Sequence, residues 1–267
     1  MTNAAPVSDA PEEGRIVTEK RGRVFLIGID RPRKYNGFTP AMFDQLGAAY
    51  QAYEDDADAW CAVLHAVGKN FTAGLQLSEF DISKTDFFPP DSVDPLGLRP
   101  PFRKKPVVVA VKGFCYTIGI ELMLAADIVV AEAGTRFGQV EVKRGLMAFG
   151  GATIRFVERA GWGNAMLLLL TGDDFDAETA LRYNFVQAIA PEGQAEAQAI
   201  EIAERIALQA PLAVQATREN SWISVQEGPA AAVARFPEQL PAIQASEDFA
   251  EGVKSFVERR EGRFQGR

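Results

Sequence analysis

The sequence is poor in the side chains that usually build metal and redox centres. Its 267 residues hold one histidine, His65, and two cysteines, Cys61 and Cys115. One histidine without paired cysteines cannot assemble a zinc-type cluster, so no metal site is expected. A Ser-His-Asp triad would depend on His65, and no G-x-S-x-G elbow occurs anywhere in the chain. His65 lies inside the apolar run Trp60-Cys-Ala-Val-Leu-His-Ala-Val67 and reads as a hydrogen-bonded histidine on a buried strand. Both cysteines also have apolar neighbours. This favours free thiols in a reducing compartment over a disulfide, and a cytoplasmic location is expected.

Positive charge is scarce as well. The 28 Lys and Arg are outnumbered by 36 Asp and Glu, a formal net charge of −8. A duplex-binding surface needs a basic footprint, so no nucleic-acid partner is expected, and any anionic ligand must find a local basic cluster. Long apolar runs are missing too: the richest, residues 165–170, falls far short of the roughly 20 residues of a membrane span. Residues 1–14 lack the basic and apolar regions of a signal peptide and read as a frayed arm.

What is present suffices for a substantial core. Hydrophobic residues make up 47% of the chain, enough for one large domain or one domain with a helical appendix. Residues 16–18 and 24–30 read as a hairpin around Gly22. Thr39-Pro40 is a helix start, with the hydroxyl at the N-cap, Pro at N1, and Met42, Phe43, Leu46, Tyr50 and Tyr53 on one face. Residues 60–67, 106–111 and 128–131 are apolar runs of strand length, buried on both sides. Residues 83–105 carry five prolines and no periodicity, which predicts a long surface loop. Beyond residue 190 helical patterns dominate, at 195–208, 211–225, 229–235 and 246–260. The expected organisation is an arm (1–14), an α/β core (15–194) and a C-terminal helical region (195–267).

Three segments carry chemistry. In Lys69-Asn-Phe-Thr-Ala-Gly-Leu-Gln-Leu77, a strand end is expected to turn into a helix around Gly74. In residues 110–127 a strand passes through a tight turn into a helix entered near Gly119. The third segment is Thr135-Arg-Phe-Gly-Gln-Val-Glu-Val-Lys-Arg-Gly145. Free amides where a strand yields to a helix favour negative charge, so two such turns facing one point would form an oxyanion hole. Glu121 stands in the apolar stretch Ile118-Gly-Ile-Glu-Leu-Met-Leu124, where burial would raise its pKa. A helix-capping or ion-paired Glu121 is the alternative on the residues alone.

These segments, in this order and spacing, resemble the crotonase (enoyl-CoA hydratase/isomerase) superfamily over about residues 16–263. Asp30-Arg-Pro-Arg-Lys-Tyr-Asn36 resembles its R-P-x-x-x-N, residues 69–77 its F-x-A-G-x-D, residues 116–127 its G-G-G-x-E-L-x-x-x-x-D, and Phe137-Gly-Gln-Val-Glu141 its F-x-x-P-E. The resemblance implies a spiral of repeated ββα units followed by helices that build a homotrimer, or a dimer of trimers. It implies an acyl-CoA substrate, with CoA part of the substrate and no separate cofactor. By matching position, Glu121 and Glu141 would be the catalytic acids and the amides of Leu75 and Ile118 the oxyanion hole. Arg33, Lys34, Tyr35, Lys69 and Ala73 would bind CoA, with Phe256 and Arg259 supplied by a neighbouring subunit. Met147 and Phe149 would line the acyl pocket.

Several positions depart from the pattern: Gln76 replaces Asp, Thr117 and Ile118 replace two glycines, Val140 replaces Pro, and Ala148-Phe149 replaces Pro-Gly. Arg144 adds a charge near Glu141. The leading expectation is a 2-enoyl-CoA hydratase of fatty-acid-type metabolism. Enoyl-CoA isomerisation, dehydration of a polar acyl-CoA, C–C bond hydrolysis without CoA, and non-catalytic acyl-CoA binding remain as alternatives.

Overall fold

The computed structural model describes residues 12–81 and 92–267; most of the expected arm and part of the proline-rich loop lie outside them. The chain opens with a hairpin, β1 (Arg15–Arg21) and β2 (Val24–Asp30), paired antiparallel through a tight turn. Helix α1 (Pro40–Asp55) follows, and Thr39 caps it as expected, its hydroxyl accepting from Met42 N at 3.2 Å. The five apolar residues assigned to its inner face are all buried. Thr39→Ala is expected to lower unfolding stability by about 1 kcal/mol, measurable by denaturant titration.

Next come β3 (Cys61–Ala66), β4 (Val107–Val111), β5 (Phe114–Tyr116), α2 (Ile118–Ala125), β6 (Ile128–Glu132) and β7 (Arg136–Gly138). Then follow α3 (Ala152–Ala160), α4 (Trp162–Thr171), β8 (Phe175–Asp176), α5 (Ala177–Arg182) and β9 (Ala188–Ala190). The main sheet has the order β1-β2-β3-β4-β6-β9, parallel from β2 onward, and a small second sheet has the order β5-β7-β8. The units β4-β5-α2 and β6-β7-α3 each place one strand in each sheet before entering a helix. This repetition is the ββα spiral.

The period-2 alternation of the strands supplies two cores. Ile27, Leu64, Val109 and Val129 face α1 and α2, whereas Leu26, Val63, Val108 and Val130 face α6 (Ala195–Ala207). Covered on both faces, the central strands have no use for polar residues, hence the run Val107–Val111. His65 lies half-buried on β3, its Nδ1 3.1 Å from Glu196 Oε2 on α6.

The chain ends in α7 (Pro211–Glu227), α8 (Pro229–Gln244) and α9 (Glu247–Glu258). Helix α8 corrects the expectation of a stop at residue 235, since it continues through Pro237 and Pro241. Its packing on α7 overrides the two prolines: Asn220 Nδ2 donates to Ala232 O at 2.8 Å and to Gln239 Oε1 at 2.9 Å, one bond on each side of Pro237. The Val233 carbonyl that Pro237 leaves without its helical donor belongs to an exposed residue, where water can satisfy it. No helix among the described residues is long and apolar enough to cross a membrane.

Candidate active site

The site is assembled where β5 leads into α2. Cys115 on β5 forms a parallel bridge with Thr72, with Thr72 N donating to Phe114 O at 2.9 Å and Tyr116 N to Thr72 O at 3.0 Å. These bonds bring the turn at residues 72–75 against the turn at 116–119. The approach is close: a methyl on Gly119 would lie 2.5 Å from Thr72 Cγ2, and one on Gly74 would overlap the Thr117 hydroxyl.

The Leu75 and Ile118 amides have no hydrogen-bond partner among the described residues. Ile118 opens α2, so its N–H has no intrahelical acceptor. For Leu75 the expected helix start is corrected. Phe38 N donates to Gly74 O and Gln76 N to Phe38 O, both at 2.9 Å, and this bridge keeps the chain extended up to a single 3₁₀ turn, Leu77–Glu79. The bridge engages the residues on either side of Leu75 and leaves its own amide free.

Glu121 is 4% exposed in the first turn of α2, an otherwise apolar helix. Its Oε1 accepts from Ala152 N at 3.2 Å, at the start of α3. Glu121 therefore does not cap its own helix but accepts from the N-terminus of α3. Burial raises its pKa to about 7, the nearby Glu141 charge adds to the rise, and the amides of Ala152 and Gly150 oppose it. A methyl on Gly150 would overlap Glu121 Oε2 and lie 2.7 Å from its Cδ, so glycine alone lets this backbone approach the carboxyl.

Glu141 begins a 3₁₀ turn, Glu141–Arg144, directly after β7. Burial raises its pKa too, while its own amide and Gln139 pull the other way. Gln139 Nε2 donates to Glu141 Oε1 at 2.8 Å, and the second oxygen, Oε2, is buried without a partner. Sequence reasoning passed over both Gln139 and Gly150. Their roles depend on neighbours in space, and the only local signal was a polar residue between Phe137-Gly138 and Val140. Arg144 is exposed and turned towards the Lys143 carbonyl.

The expected CoA residues divide into two groups. Asn36 is fully buried and ties two loops together, accepting from Arg31 N at 2.6 Å and donating to Val67 O at 2.9 Å and Asn70 O at 2.7 Å. Ala73 N donates to Tyr35 O at 3.0 Å. These bonds gather Arg33, Lys34, Tyr35, Lys69 and Ala73 next to the turn at residues 72–75, with Arg33, Lys34, Tyr35 and Lys69 exposed. Phe256 and Arg259 belong elsewhere within one chain. They lie on α9 and its end, whose following tail runs to Trp60 at the start of β3, whereas Lys69 follows the end of β3. Phe256 is 85% exposed. Met147 and Phe149 are surface-accessible on the segment between Glu141 and Gly150. A cleft of about 1410 Å³, lined by Phe102, Arg159, Arg218 and Trp222, opens at the opposite end of β4 and β6 and contains none of the expected site residues.

Comparison with known proteins agrees with this geometry. Residues 19–267 match the family model described as enoyl-CoA hydratase/isomerase. The chain is 30% identical to a protein named enoyl-CoA hydratase EchA19 from Mycobacterium tuberculosis, over 98% of this chain and 100% of that protein. It is 28% identical to the 2,3-dehydroadipyl-CoA hydratase of Escherichia coli, over 94% of this chain and 99% of that one. Among solved structures, a probable enoyl-CoA hydratase/isomerase from Mycobacterium abscessus is 44% identical, with a TM-score of 0.91 over 94% of this chain and 98% of the other. The converging turns, the paired acids and these likenesses place the chain in the enoyl-CoA hydratase/isomerase family, within the crotonase superfamily.

Proposed function

We propose that this protein is a 2-enoyl-CoA hydratase, adding water reversibly across the double bond of an α,β-unsaturated acyl-CoA. One observation carries the reading: two backbone amides unpartnered among the described residues, at converging turns, accompany a buried Glu121 and a half-buried Glu141 close enough for the Glu141 charge to raise the Glu121 pKa. The thioester oxygen would sit between the Leu75 and Ile118 amides. As water adds at the β-carbon, negative charge moves onto that oxygen, and fixed donors aimed at it stabilise the enolate more than the ground state. One acid accepts a proton from the water and the pair returns a proton to the α-carbon. Retention of both acids favours hydration over isomerisation, which can proceed with one.

CoA would be held by Arg33, Lys34, Tyr35, Lys69 and Ala73, a local cluster compatible with an acidic chain. Phe256 and Arg259 would reach the site from a neighbouring subunit, which calls for a homotrimer or a dimer of trimers built on the C-terminal helices. Met147 and Phe149 would border the acyl chain, and the enzyme would work in the cytoplasm without a separate cofactor.

The direct test is the loss of ultraviolet absorbance of a short 2-enoyl-CoA on addition of the protein, with the 3-hydroxyacyl product identified by mass. No turnover at any chain length would overturn the reading. The pH profile should follow the acid pair. Glu121 holds its proton up to about pH 7, so kcat/KM is expected to fall as pH rises beyond about 7 and the pair loses its last proton. It is expected to fall again at low pH, where both acids are protonated. A rate unchanged up to pH 9 would contradict the shared-proton scheme.

A further inference from the structure

Thr117 is the least comfortable residue at the site. Its φ of 49° and ψ of −114° belong to a region that β-branched residues avoid. It stands at the N-cap of α2, yet its side chain makes no capping bond. Its hydroxyl is buried and has no hydrogen-bond partner among the described residues. A buried polar group in that state is costly, and nothing within the chain explains why a hydroxyl is kept there.

Its location supplies a reason. The whole side chain lies along Gly74: a methyl built on Gly74 would overlap Thr117 Oγ1 and lie 3.6 Å from its Cβ and 3.8 Å from its Cγ2. The peptide after Gly74 carries the free Leu75 amide, and the peptide after Thr117 carries the free Ile118 amide. The hydroxyl therefore lies against the residue that precedes one donor and belongs to the residue that precedes the other. Its own backbone is fixed, with Thr117 N donating to Gly138 O at 2.9 Å, and Gly74 N is held by Thr72 Oγ1 at 3.1 Å. Three donors without partners among the described residues, two amides and one hydroxyl, thus belong to two turns packed against each other.

We propose that the Thr117 hydroxyl is a third donor to the thioester oxygen, a catalytic residue acting beside the Leu75 and Ile118 amides. The inference rests on the acyl-CoA reading above. In the bound complex Oγ1–H would point at the oxygen that becomes negative in the enolate, and the bond would strengthen as charge arrives. The hydroxyl transfers no proton, so the acid–base work stays with Glu121 and Glu141. The unfavourable backbone angles then have a function, since they turn the side chain towards Gly74 instead of along α2.

The test uses Thr117→Val, Thr117→Gly and Thr117→Ser in the full chain. Glycine adopts these angles without strain, so Thr117→Gly should fold at least as well as the parent, and thermal melts of all three separate loss of donor from loss of fold. The probe is a conjugated dienoyl-CoA labelled with carbon-13 at the thioester carbon, whose carbonyl stretch reports polarisation by infrared difference spectroscopy. The parent should shift the band to lower frequency. Thr117→Val and Thr117→Gly should shift it less and lose at least about tenfold in kcat/KM, towards the roughly 10²–10³ that a lost oxyanion donor costs, while Thr117→Ser stays near the parent in both. Equal shifts and rates in parent, Val and Gly variants would overturn the third donor and leave the hydratase reading standing. No shift with the parent itself would overturn both.

Discussion

Glu121→Gln and Glu141→Gln are each expected to lower kcat/KM for a short 2-enoyl-CoA by about 10²–10⁴-fold, the usual contribution of a positioned acid or base. The two should differ in stability. Glu121 is a buried carboxyl whose pKa rises from 4.5 to about 7 on folding. The folded state holds that proton more tightly than the unfolded chain does, so Glu121 favours folding below about pH 4.5. That contribution is lost as pH climbs through about 7, where the ionised group must stay buried. Glu121→Gln has no such group. Its melting temperature relative to the parent should therefore improve between about pH 5 and pH 8 while its activity collapses. Glu141 is less buried, so its Gln variant should show a weaker trend. Melts and initial rates at both pH values check the pair. Full activity in Glu121→Gln or Glu141→Gln would remove that acid from the mechanism.

Gly150→Ala is the second large effect. Gly150 does not adopt a positive φ, so an alanine there meets no backbone strain. The three atoms nearest the added methyl all belong to the Glu121 carboxyl, with one oxygen overlapped and Cδ approached to 2.7 Å. The carboxyl must move, yet its other oxygen is held by the first amide of α3. A displacement near 1 Å at a reacting group costs roughly 10²-fold in rate, so a loss of about that size is expected. Substrate affinity should change less, because none of the residues proposed to hold CoA is among the atoms nearest the added methyl. A melting temperature within a few degrees of the parent, together with the lost rate, would identify misplacement of Glu121 as the cause. Unchanged kcat would show that the site accommodates the methyl.

The parts of this architecture that depend on neighbours along the chain were readable from the residues. The Thr39-Pro40 cap, the apolar face of α1 and the doubly buried strands each follow from local chemistry and periodicity, and each is present. The two acids and two amides were implied by the family resemblance, and the fold brings the two turns together through the bridge of Thr72 to Cys115. What was not legible depends on contact across the fold. Gln139 matters because β7 aims it at Glu141, and Gly150 because α3 starts against Glu121. The extended path around Leu75 was missed because Phe38, 37 residues earlier, supplies the pairing that replaces a helix. Helix α8 outran its expected end because contacts with α7 outweigh the usual proline penalty.

Both amides proposed for the oxyanion hole belong to the polypeptide itself, so exchanging the Leu75 or Ile118 side chain leaves each N–H in place provided the local chain path is kept. The constraint falls on bulk instead: Ile118 is buried in the core and Leu75 packs against it, so the chain path there depends on apolar side chains of similar size.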